Sequence, residues 1–148
     1  MAESRFLYVT YIRATPERIF ETFCDPEQTP KFWHGYHQQS SWKVGDDFAI
    51  ADRDGKVWDR GKVLAYDPPR RLSVTWNHLV HADMAAEGES VATFELEPVN
   101  EAVTKVTLTH TIQAPPPSKF IEGVSSGWPS ILASLKSLLE TGEALEAA

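Results

Sequence analysis

One cysteine, Cys24, is all the thiol chemistry in the 148 residues. A lone thiol closes no internal disulfide and builds no Cys-based metal site, so a reducing compartment, the cytoplasm, is expected. Basic runs are missing too: 14 Lys and Arg stand against 21 Asp and Glu, a formal net charge of -7. A phosphate backbone or an anionic bilayer surface would be repelled, so neither nucleic acid nor membrane is an expected partner. No stretch approaches about 18 apolar residues, and the N-terminal segment lacks the basic-then-apolar order of a signal peptide. There is no Gly-rich phosphate loop and no G-x-S-x-G elbow, which removes the common nucleotide and hydrolase routes. With no internal repeat and no low-complexity linker, residues 1–148 are expected to form a single domain.

What the chain has in plenty is aromatic rings: seven Phe, five Trp and four Tyr. They fall on readable elements. "SRFLYVTYIRA" is β-branched and aromatic without a helical period, a strand over about residues 5–13. In "ATPERIFETFCDPE" Thr15 can cap, Pro16 suits the first helical position, and Ile19, Phe20 and Phe23 form one stripe. A second short helix is expected towards Trp33, with "WHGYH" as a loop. From Trp42 to Ile112 the punctuation is that of an antiparallel meander, turning at Asp54-Gly55, Asp67-Pro68-Pro69 and Val99-Asn100-Glu101. Leu72, Val74 and Trp76 alternate onto one face, as do Ala92, Phe94 and Leu96, and Val106, Leu108 and Ile112. That face must be covered. The one long element left is the C-terminal helix, with Val124, Trp128, Ile131, Leu135, Leu138 and Leu139 on a stripe and Gly142 as its cap.

This helix carries a flaw. Gly127 and Pro129 flank Trp128, and a helix interior should hold neither. The spacing predicts a break near residues 125–129, a helix restarting at Pro129 under a cap from Ser126 or its neighbours, and a separate turn over "SKFIEGV". Trp128 would then stand at a cavity mouth, unless Gly127 serves only to let the indole pack tightly.

The order of strand, two short helices, antiparallel strands and terminal helix resembles the helix-grip fold of the START-like (SRPBCC) superfamily, an α+β class. "YIRATPERIFETFCDPE", "GKVLAYDPPRRLSVTW", "TFELEP" and "GWPSILASLKSLLETG" are similar to the successive signatures of the family of the heat-shock protein 90 ATPase activator C-terminal domain. The resemblance implies a curved antiparallel sheet wrapped around the terminal helix. The eponymous co-chaperones carry a further N-terminal domain that engages the chaperone, whereas this chain opens on strand one. Superfamily relatives with lipid, hormone or polyketide ligands imply a ligand cavity between helix and sheet.

Several residues are candidates for lining it. His110 is in phase with Val106, Leu108 and Ile112, and His78 continues the series Leu72, Val74, Trp76. Each is either a core imidazole satisfied by its neighbours or a polar fixture that orients a ligand. Asp59 alternates with Val57, Gly61 and Val63. Either it faces inward, where burial raises its pKa and suits an acid or base, or a bulge exposes it or pairs it with Arg60 or Arg71. Trp33, Phe48, Trp58, Trp76, Phe94 and Trp128 divide between filled core and ligand contact, with Trp33, Phe48, Trp76, Phe94 and Trp128 the aromatic candidates for the site. The groups "HLVHAD" and "WHGYH" match no zinc signature, so no metal and no other cofactor is expected. The leading expectation is a ligand-binding protein, a monomer or weak homodimer, holding an apolar or aromatic molecule. The alternatives are a polyketide cyclase or aromatase-like enzyme using Asp59, His78 or His110, and a protein-interaction module with a chaperone or regulator as partner.

Overall fold

Alternation along the strands sets the architecture: inward apolar side chains need one cover, and the chain supplies a single long helix for it. The computed structural model describes residues 2–145. In chain order the elements are β1 (Ser4–Ile12), α1 (Pro16–Cys24), α2 (Thr29–Phe32), β2 (His37–Ser40), β3 (Asp47–Ala51), β4 (Val57–Asp67), β5 (Arg71–His78), α3 (Ala82–Ala85), β6 (Ser90–Pro98), β7 (Thr104–Ile112) and α4 (Lys119–Thr141). The strands form one antiparallel sheet ordered β1-β7-β6-β5-β4-β3-β2. Its inner face packs on α4, as the helix-grip expectation requires.

Local chemistry explains the ends of the elements. The Thr15 hydroxyl accepts from the Arg18 N–H at 3.2 Å with Pro16 in the first turn, the expected cap. Phe23 at the end of α1 then stacks on Phe94 of β6, ring centroids 4.1 Å apart, closing one end of the sheet. β2 starts at His37, the last residue of the stretch expected to be loop, and runs on through residues for which no element was expected. Its sequence, His-Gln-Gln-Ser, has no apolar alternation to announce a strand, and it is held by pairing with β3 and by Gln38, whose buried amide donates to the Phe23 carbonyl at 2.7 Å. The four-residue α3 likewise has no apolar stripe of its own.

The expected helix break does not occur. α4 runs unbroken from Lys119 to Thr141 with Pro129 inside it, and its cap is Ser118, whose hydroxyl accepts from the Ile121 N–H at 3.1 Å. Ser118 and the Lys119 N–H both donate to the Glu87 carboxylate, so a side chain from the β5–β6 connection pins the helix start. Continuity wins on magnitude. An interior proline costs roughly 3 kcal/mol, whereas the turns before it bury Phe120 and Trp128, each worth about 2–3 kcal/mol. The carbonyl deprived of a donor, that of Ser125, is half-exposed, where water can serve it. Nor does Gly127 admit a tightly packed neighbour, because a Cβ placed there meets nothing within 4 Å. Gly142 ends the helix at φ 87° as expected, its N–H donating to the Leu138 carbonyl at 3.0 Å. Replacing Pro129 with alanine restores the bond to Ser125 and should stabilise the protein by about 1–2 kcal/mol in urea unfolding. A loss of stability would show that the proline ring's own packing matters more.

Candidate functional site

The alternation of β4 holds through its first half: Asp59, Gly61 and Val63 are buried, Arg60 and Lys62 exposed. The register shifts flank this stretch, one where Ile50 and Ala51 pair with Asp59 and Val57 and one between Val63 and Ala65, and Asp59 stays inward and pairs with neither Arg60 nor Arg71. Antiparallel register instead sets it opposite His78 of β5. Asp59 Oδ1 accepts from His78 Nδ1–H at 2.8 Å and from Trp76 Nε1–H at 2.8 Å. His78 Nε2 in turn shares a 2.9 Å hydrogen bond with Nδ1 of His81, whose ring stacks on it with centroids 5.1 Å apart. The result is a line from the buried carboxylate through His78 to the exposed His81. Burial holds the Asp59 carboxyl above the usual carboxylate range, an effect the hydrogen bonds from His78 and Trp76 partly offset. Among the described residues no three His, Cys, Asp or Glu side chains gather as a metal site would need.

This line borders a cleft of about 260 Å³. The sheet contributes Asp59, Trp76 and His78. α4 contributes Phe120, Gly123, Val124, Gly127, Trp128 and Ile131, a stripe at three- and four-residue spacing. Trp33, His81 and Met84 complete the rim. Three indoles meet here: Trp33, Trp76 and Trp128 lie with ring centroids 5.2 to 6.3 Å apart. A second cleft of about 320 Å³ adjoins the first and shares Trp33, Asp59, Gly127 and Ile131 with it.

Of the eight sequence candidates, Trp33, Asp59, Trp76, His78 and Trp128 come together at the cleft. His110, Phe48 and Phe94 do not line it. His110 is a fully buried core imidazole behind the wall, against Phe120, Trp76 and Trp128. Its Nδ1 accepts from Trp128 Nε1–H at 3.0 Å, which leaves Nε2 to carry the proton towards Ser90 Oγ at 2.9 Å, while the Ser90 hydroxyl donates to the Trp76 carbonyl at 2.8 Å. Every polar atom of the trio is satisfied, and burial pushes the imidazole down to about 3. Phe48 and Phe94 sit deeper, around a void of only about 20 Å³. The sequence reading did not name His81, Met84, Phe120, Gly123, Val124, Gly127 or Ile131 as lining residues, although it put Val124 and Ile131 on the apolar stripe of the helix. For Phe120 and Gly123 the helical spacing from Gly127 carried the signal. Cys24 is packed rather than reactive, its thiol pushed up to about 12 by burial.

Comparison with known proteins adds the lineage. A protein from Mesorhizobium loti is 28% identical with a TM-score of 0.78, over 93% of this chain and 97% of its own. An HSP90 activator from Plasmodium falciparum is 23% identical with a TM-score of 0.73, over 91% and 95%. The Aha1 dimer from Colwellia psychrerythraea gives 23% and 0.73, over 95% and 99%. Below about a quarter identity such likeness speaks for the fold alone. No curated protein sequence matches. The family profile described as Activator of Hsp90 ATPase homolog 1-like protein matches residues 13–140, and the chain belongs to that family.

Proposed function

We propose that the protein holds a small apolar or aromatic molecule in the cleft between α4 and strands β4 and β5, without covalent chemistry. The observation that carries this reading is the wall of three tryptophans, Trp33, Trp76 and Trp128, lining a cleft whose polar side chains among the described residues are Asp59, His78 and His81. An apolar concavity with a few converging polar groups is the usual form of a small-molecule site, and about 260 Å³ lies just below the common range of roughly 300–1,000 Å³. Native mass spectrometry of the protein purified from its own host tests it directly: a retained small-molecule mass is expected, and uniformly unliganded protein would overturn it.

Gly127 provides a second test. It lines both clefts and has open space where its Cβ would be, so Gly127→Leu should fill the cleft while improving helix propensity. The variant is expected to unfold no earlier than the parent in urea and to bind a naphthalene-type probe at least about tenfold more weakly. Unchanged probe affinity would place the binding site elsewhere.

One observation favours a second reading, a proton-transfer enzyme. Asp59 and His78 border the same cleft in direct hydrogen-bond contact, and His81 connects them to solvent. His110 takes no part in it, being walled off by Trp128.

A further inference from the structure

We infer that the cleft selects a ligand bearing a protonated amine beside a flat apolar body, the ammonium being received by Asp59. This rests on the cleft being the ligand site and goes beyond it by fixing the ligand's charge. A carboxylate that is 8% exposed needs compensation, and here it has only part of it. Both recorded donors, Trp76 Nε1–H and His78 Nδ1–H, fall on the same oxygen, Oδ1. Oδ2 has no hydrogen-bond partner among the described residues, although Asp59 borders both clefts. No lysine or arginine lines either cleft among those residues, and the adjacent Arg60 projects to the opposite, exposed face. The carboxylate therefore lacks a permanent counter-charge at the place where a ligand would lie.

The remaining lining suits the same occupant. Tryptophan faces attract a cation, and three tryptophans line the cleft that Asp59 borders. A ligand carboxylate or phosphate would find no cationic anchor, would face Asp59 across an apolar gap, and would approach a chain of net charge -7. A neutral ligand would gain the apolar contacts but leave Oδ2 without a donor.

Three probes of one shape separate these cases: 2-naphthylmethylamine, which is an ammonium at neutral pH, 2-naphthylmethanol and 2-naphthoate, each titrated calorimetrically into the full chain and into Asp59→Asn. The ammonium is expected to bind about tenfold or more tighter than the alcohol, with the naphthoate weakest. In Asp59→Asn the ammonium should fall to the alcohol's affinity while the alcohol is unchanged, since the amide oxygen still accepts from Trp76 and His78 but an N–H replaces the free oxygen. An alcohol that binds as tightly as the ammonium, a preference for the naphthoate, or an ammonium advantage that survives in Asp59→Asn overturns the inference and leaves the cleft as a ligand site. Failure of all three to bind overturns both readings. If the variant does not fold, the wild-type series decides, because a Coulombic advantage shrinks with added salt while the alcohol's binding does not weaken.

Discussion

Gly61→Ala should lose about 4 kcal/mol or more of stability, enough to leave much of the chain unfolded, given that whole domains are stable by roughly 5–15 kcal/mol. The reason is steric. A Cβ at Gly61 would lie 1.7 Å from the Thr75 carbonyl oxygen and 2.4 Å from its carbon, and these are backbone atoms of the neighbouring strand. They cannot rotate away as a side chain would. β4 and β5 can separate only by breaking the pairs on either side, Arg60 with Asn77 and Val63 with Val74. Thr75 adds a further constraint, because its Oγ1 accepts the Lys62 N–H at 2.8 Å in place of a ladder bond. The damage would reach the cleft, since Asp59 and Trp76 flank the point of contact in sequence. Urea unfolding with Gly127→Ala as a control makes the comparison fair: the same chemical change, placed where nothing lies within 4 Å, should be neutral or mildly stabilising. A Gly61→Ala protein within about 1 kcal/mol of the parent would mean that the strands yield more easily than their pairing suggests.

Acid should unfold this protein largely through His110. Its folded pKa, about 3, lies below the ordinary histidine value of about 6.5, so the unfolded chain takes up a proton that the native one refuses. Stability from this group is fully present above about pH 6.5 and is lost as pH falls towards about 3, at roughly 1.4 kcal/mol per pH unit, about 4–5 kcal/mol in all. Asp59 works in the opposite sense. Its carboxyl is held above the usual range, so the folded state binds that proton first and lowering the pH relieves a cost. Asp47, Asp52 and Glu140 are held low by hydrogen bonds but are exposed or half-exposed, and their share is small. The sign of the whole profile is therefore set by His110. A His110→Gln variant isolates it: less stable than the parent at pH 7, it should lose stability less steeply between pH 6 and 4, so that the two curves converge. Parallel curves would show that another group carries the acid sensitivity.

Much of this was legible in the sequence, and the misses have physical causes. Period-two alternation placed Asp59, Trp76 and His78 on the inner face because the pleat of β4 runs undisturbed from Asp59 to Val63, between its two register shifts. It could not place His78 opposite Asp59, since cross-strand register depends on the length of the turn and on a bulge that leaves no mark in composition. Phase also put His110 inward, rightly. Whether it reached the cleft depended on Trp128 and Phe120 standing in between, a matter of side-chain volume. The helix break failed for a different reason. Propensity weighs Gly127 and Pro129 locally, while the decision was made by the apolar stripe on both sides of them, from Phe120 to Leu139. Met84 escaped notice because the four-residue α3 has no period to read, and His81, weighed only as a metal ligand, sits just before it where no alternation places a side chain.

The hydrogen-bond chain from Trp128 through His110 and Ser90 to the Trp76 carbonyl has a mechanical consequence. Each link has a fixed donor and a fixed acceptor, so the helix is keyed to three strands as well as greased against them. Apolar contacts alone would tolerate a small slide or roll of α4 at little cost, whereas here such a movement would break the buried bond from Trp128 and leave Nδ1 of His110 unpaired, its ring being held in place by the Ser90 bonds behind it. The helix wall of the cleft therefore behaves as a fixed jaw. The other jaw, His81 and Met84 on the short connection between β5 and β6, is tied to the sheet through the hydrogen bond of the exposed His81 to His78 rather than through a fully buried joint, and is the side that can yield to fit what enters.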